Sequence, residues 1–111
     1  MTFDQDLLAA MRTVTPAAYA FPAKEPPKLY VTYQRVTGKR HSTLNSGAGA
    51  PRGDFQIDVW GETRAAVRVL ADALQDTLPN LLKVGDMTDG PDDYEAATKL
   101  HRASFDVVLW K

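Results

Sequence analysis

The sequence predicts an α+β domain: a four-stranded, mainly antiparallel sheet with two helices on one face, in the order α-β-β-α-β-β. Three observations predict it. Two segments, near 2–14 and 62–78, repeat apolar residues at helical spacing. Residues 53–60 and 99–110 alternate apolar and polar types, the mark of strands with one face buried. Helix 62–78 carries Val67, Leu70, Leu74 and Leu78, which need an apolar sheet face to bury against. At 111 residues the chain is expected to form a single domain over 1–111.

The first helix spans 2–14. Thr2 and Gln5 fit a capping box, and Phe3, Leu7, Leu8, Met11 and Val14 form one face. Pro16, Pro22, Pro26 and Pro27 then make 15–28 an extended connector, pinned by Tyr19 and Phe21. Residues 29–37 form the first strand, with Leu29, Val31 and Tyr33 on one face and Tyr30, Thr32 and Gln34 on the other.

Residues 38–51 are rich in Gly and Ser and have no period, so 38–52 is expected to be a flexible loop with a functional role. In the second strand, 53–60, Phe55, Ile57 and Val59 face one way and Asp54, Gln56 and Asp58 the other. That polar face is expected to be exposed or at an interface. Thr63 is the expected N-cap of the second helix, Arg68 and Asp72 an i,i+4 pair on its outer side, and Pro79 and Asn80 its stop. Residues 81–87 read as a third strand and TDGPDD as a turn. The last strand places Ala103, Phe105, Val107 and Leu109 inward, and Arg102, Ser104, Asp106, Val108 and Trp110 outward.

Composition narrows the chemistry. The chain has no Cys, so a disulfide framework, a thiolate nucleophile and a cysteine metal site are all excluded. A net charge of -1 argues against a protein held to nucleic acid by bulk electrostatics. No apolar run approaches the ~20 residues of a membrane helix. Asp4 and Asp6 replace the basic start of a secretory signal, which points to an intracellular setting.

The motif tests are negative. Asp86, Asp89, Asp92, Asp93 and Glu95 do not follow EF-hand spacing, and read as a solvated acidic turn. His41, in the loop, and His101, expected near a sheet edge, form no ligand pair. GAGAPRG precedes a strand rather than a helix, and Gly38-Lys39-Arg40 lacks the GK[ST] ending, so neither is a phosphate loop. Ser46 lacks the first Gly of a nucleophile elbow. No cofactor, metal or catalytic residue is expected, and the chain reads as a non-enzyme.

Charge layout remains. The 38–52 loop holds Lys39, Arg40, His41 and Arg52 and no acid; residues 86–95 hold five acids and no base. These are two solvated loops, or complementary surfaces of neighbouring copies in a ring, or a basic loop facing DNA at the ring axis. Trp60 and Trp110 lie on the polar sides of their strands, near strand ends. They are candidate interface aromatics; alternatively Trp60 covers the sheet edge and Trp110 packs under the proline-rich connector.

With these elements in place, the chain resembles the small tail-completion, or tail terminator, proteins of long-tailed phages, prophages and gene transfer agents. Tyr30-Val31-Thr32-Tyr33-Gln34-Arg35-Val36, a variable polar loop, Phe55-Gln56-Ile57-Asp58-Val59-Trp60 and Thr63 opening an Ala/Leu helix carry the resemblance. So do Tyr94-Glu95, Thr98, Leu100, Arg102, Ser104, Phe105-Asp106 and Trp110.

The resemblance implies a ring of self-copies, typically six, that caps the tail tube, stops its growth and offers a surface to the head-side connector. DNA passes through the bore without sequence specificity. It further implies a place in the virion neck or tail, assembly in the bacterial cytoplasm, no membrane partner and no catalytic residues. A head-completion or stopper neck protein is the alternative, followed by a small non-virion enzyme or regulatory domain.

Overall fold

A computed structural model describes residues 3–21, 27–36, 52–90 and 92–110. The capping-box Thr2, the connector prolines Pro22 and Pro26, and Lys39, Arg40 and His41 lie outside the described residues; of Arg52 only the backbone is described. The elements run α1 (Phe3–Val14), β1 (Ala18–Ala20), β2 (Tyr30–Arg35), β3 (Arg52–Gly61), α2 (Arg64–Leu81), β4 (Lys83–Asp89), β5 (Asp93–Glu95) and β6 (Leu100–Trp110).

The α+β class and the two helices agree with the sequence; the four-stranded antiparallel sheet does not. The sheet is six-stranded and mixed, with path β1-β2-β3-β6-β4 and β5 also paired to β6. β1 runs parallel to β2, while the other pairs are antiparallel. It lies inside the predicted connector. Val31 N–H donates to Ala17 O and Phe21 N–H to Tyr33 O, both at 2.9 Å. Prolines bracket this segment and do not prevent its pairing, because it is a three-residue edge strand.

Two boundaries shift. α2 passes through Pro79 to Leu81. A proline in the last turn removes only one donor, Asn80 Nδ2 donates to Asp76 O at 3.3 Å, and Leu82 N–H closes on Leu78 O at 2.9 Å. β4 therefore begins at Lys83 and runs on through Thr88 and Asp89 of the predicted turn, whose last residue, Asp93, opens β5. His101 lies one strand in from an edge, inside the short edge strand β5. β6 has β3 on one side and β4 with β5 on the other, with His101 opposite Gly61 and Tyr94.

The expected core is present. Leu7 and Met11 of α1, Val67, Ala71, Leu74 and Leu78 of α2, and Val31, Phe55, Ile57, Val59, Phe105, Val107 and Leu109 of the sheet form one buried cluster. Thr63 caps α2 as expected, its Oγ1 accepting from Ala66 N–H at 3.2 Å. Both helices thus share one sheet face, and no described helix covers the opposite face.

Candidate interaction surface

Register sets the open face of the sheet. Because side chains alternate, the residues opposite the core line up in rows across the strands. One row is Tyr30, Trp60, Arg102 and Asp93; the next is Thr32, Asp58 and Ser104; the third is Gln34, Gln56, Asp106 and Thr88.

The first row is a stack. Tyr30 lies on Trp60 with ring centroids 6.0 Å apart and 11° between planes, and Arg102 Cζ is 5.5 Å from the Trp60 centroid. Stacking and cation–π contacts of this kind are each worth about 0.5–1.5 kcal/mol. Trp60 Nε1 donates to Thr32 Oγ1 at 3.1 Å, and Arg102 Nη2 pairs with Asp93 Oδ2 at 3.1 Å. Trp60 is buried in mid-sheet rather than covering an edge.

The second and third rows carry charge. Asp58 is 2% exposed, and Gln56 Nε2 donates to both of its carboxylate oxygens, at 3.1 and 3.3 Å. Burial, then the charges of Asp58 and Asp54, hold the Asp106 carboxyl above its ordinary range. The sign follows. A carboxylate whose folded pKa is raised costs stability once ionised, and that cost grows as pH rises above the ordinary 3.8. Asp106→Asn is therefore expected to stabilise the fold more at pH 7 than at pH 4.5. Urea midpoints of both proteins at the two pH values measure it, and an equal or reversed difference would contradict the raised pKa.

The open face carries a cavity of about 350 Å³ walled by Tyr30, Trp60, Asp58, Glu95 and Arg102, with Phe21 at its lip. Burial, then the Glu95 charge, raises the pKa of the Tyr30 hydroxyl. A second cavity, about 310 Å³, lies between the start of α2 and β5–β6. Ion pairs cross it: Arg64 and Arg68 reach Asp92 at 3.5 and 3.4 Å. Arg68 also holds Asp72 at 2.9 Å, the pair expected from the sequence.

The acidic residues singled out in the sequence do not form one free patch. Asp92 and Asp93 pair with arginines of their own chain, and Asp89 accepts from Gln75 Nε2 and lies 4.0 Å from Arg68. Asp86 is exposed where the β4–β6 register shifts. Trp110 is 38% exposed at the end of β6, between β3 and β4. Its indole crosses Gly85, where a Cβ would lie 2.5 Å from Nε1. The Tyr30–Trp60–Arg102 stack was not legible as a unit. Alternation put each residue on an outward face, but only register makes them neighbours.

Among the described residues no group of three or more His, Asp and Glu is placed to hold a metal, and no helix is long and apolar enough to cross a membrane. The surface offers charge and aromatic recognition. A model of the family described as Tail completion protein gp17 matches residues 5–110. A search of curated proteins found no match. Among solved structures the chain is similar to a chain of "Virion of native gene transfer agent (GTA) particle". The TM-score is 0.61 and the identity 16%, covering 94% of this chain and 92% of that one, a likeness of fold.

Proposed function

The chain belongs to the tail completion protein gp17 family, structural components of virion tails rather than enzymes, and from that premise we propose that it is the terminator of its tail tube. The family match over nearly the whole chain carries this reading. In it, copies form a ring, six by resemblance, that seats on the last ring of the tube and presents a different outer face to the head-side connector. A tube grows by repeating one contact. A subunit that matches the tube end on one side and not on the other removes the template for the next ring. DNA crosses the bore, and assembly takes place in the bacterial cytoplasm before the tail joins the head.

Lys39, Arg40, His41 and Arg52 are the proposed contacts at the ring or its bore. Their charge and the absence of acid in 38–52 support that role. Trp60 and Trp110 remain candidate interface aromatics, and exposed Asp86 is the proposed acidic-patch contact.

Deleting the gene is expected to leave heads without tails alongside overlong tubes, scored by electron microscopy. Filled heads leaking DNA with free tails of normal length would assign a head-completion or stopper role instead. Lys39→Glu with Arg40→Glu is expected to lower ring assembly or infectivity while thermal melting stays unchanged, since charges in a polar, aperiodic segment contribute little to stability. Wild-type assembly and infectivity would remove the segment from the mechanism.

A further inference from the structure

We propose that the cavity between Tyr30, Trp60, Asp58 and Glu95 on the open sheet face receives a lysine or arginine side chain from the 38–52 segment of a second copy. This rests on the reading that the basic segment makes contacts between copies, and it names the surface those contacts use.

The cavity asks for a cation. Asp58 is 2% exposed, and its amide contact from Gln56 supplies no charge. A carboxylate held out of water is costly until a cation meets it. Arg102 also lines the cavity, with Nε buried and unpartnered. Its Nη2 is held by Asp93 and its guanidinium lies on Trp60, so one already-paired cation faces the carboxylates of Asp58 and Glu95. Glu95 adds a second carboxylate to the same cavity. The walls ask for more than a point charge. Tyr30 and Trp60 present rings, and Phe21, 49% exposed, stands at the lip. An ammonium or guanidinium on an apolar stem satisfies both demands, the stem against the rings and the head at the carboxylates.

Two carboxylates against the one guanidinium of Arg102, itself paired with Asp93, leave the cavity acidic, which favours a cation over DNA phosphate. The acidic turn expected from the sequence to be the counterpart is largely engaged. Asp92 and Asp93 already hold Arg64, Arg68 and Arg102 of their own chain. Charge complementarity picks the occupant: residues 38–52 carry Lys39, Arg40 and Arg52 and no acid. A basic segment of one copy against this acidic cavity of the next is a heterologous contact, the type that closes into rings.

The chain has no Cys, so introduced thiols report contacts cleanly. Particles would be assembled from two single-cysteine chains, Arg40→Cys and Glu95→Cys, then oxidised and resolved on a non-reducing gel. The expected result is a disulfide-linked band of twice the chain mass, with none from Arg40→Cys mixed with Asp92→Cys. Thr98→Cys, in the same cavity, serves if Glu95→Cys chains do not assemble.

Linkage to Asp92→Cys instead of Glu95→Cys or Thr98→Cys overturns the proposal in favour of the acidic turn. Linkage only in the Arg40→Cys/Glu95→Cys double variant, within one chain, overturns it in favour of the chain's own segment. If neither pair links while an amine crosslinker still recovers multimers, the cavity is not the docking site and the ring stands. Absence of multimers from intact particles removes the ring as well.

Discussion

Trp60→Ala is expected to lower folding stability by about 3–5 kcal/mol, the range for truncating a buried large aromatic. The loss has three sources. The ring leaves its place on Tyr30, Arg102 loses the face it lies on, and Thr32, 1% exposed, loses the donor to its hydroxyl. A buried acceptor left without its partner costs about 1–3 kcal/mol. Trp60→Phe separates the contributions: the ring face stays, the N–H goes, and the expected loss falls to about that one hydrogen bond. Urea unfolding followed by circular dichroism measures both. A loss below about 1 kcal/mol for Trp60→Ala would mean that the open face is not organised around this ring. The same substitution removes a wall of the cavity and is expected to weaken assembly beyond its effect on folding. Trp60→Phe, stable and stacked, is the comparison that isolates that effect.

Leu74→Ala is expected to cost about 2–5 kcal/mol through the cavity it leaves. Leu74 is fully buried in the stripe of α2 that faces the sheet, with Val67, Ala71 and Leu78 along the same side. Val69 lies on the same helix and is 70% exposed, so Val69→Ala is expected to stay within about 0.5 kcal/mol of wild type. Denaturant midpoints of the pair test the helix face directly. Equal effects at the two positions would place the sheet on a different side of α2. Leu74 belongs to the helix-covered face, so near the melting transition its loss should act on folding alone. Below that temperature, assembly is expected to be retained.

The core was legible because its signal is periodic. Leucines at helical spacing in α2 and the alternating residues of β3 and β6 each declare a buried side within a few residues of chain, and burial of that apolar surface drives folding. Thr63 was legible for the same reason, as capping is a contact over three residues. β1 was not. Ala-Tyr-Ala has little strand propensity of its own, and its order comes from backbone pairing with β2, thirteen residues away in register. The acidic turn misled in the same way. Asp92 meets Arg64 and Arg68 from a distant part of the chain, so a charge that looks solvated in sequence is already paired in space.

By itself, then, the sequence determined the class of fold, the faces of its helices and long strands, the absence of thiol chemistry and the resemblance to tail completion proteins. Tertiary structure decided which outward residues became neighbours. It put Tyr30, Trp60 and Arg102 in one row, brought the Asp106 carboxyl beside Asp58 and Asp54, and opened a cavity between Asp58 and Glu95. The physical reason is range. Hydrophobic periodicity is local and survives in one dimension, whereas strand register and charge pairing depend on closing loops between segments far apart in the chain.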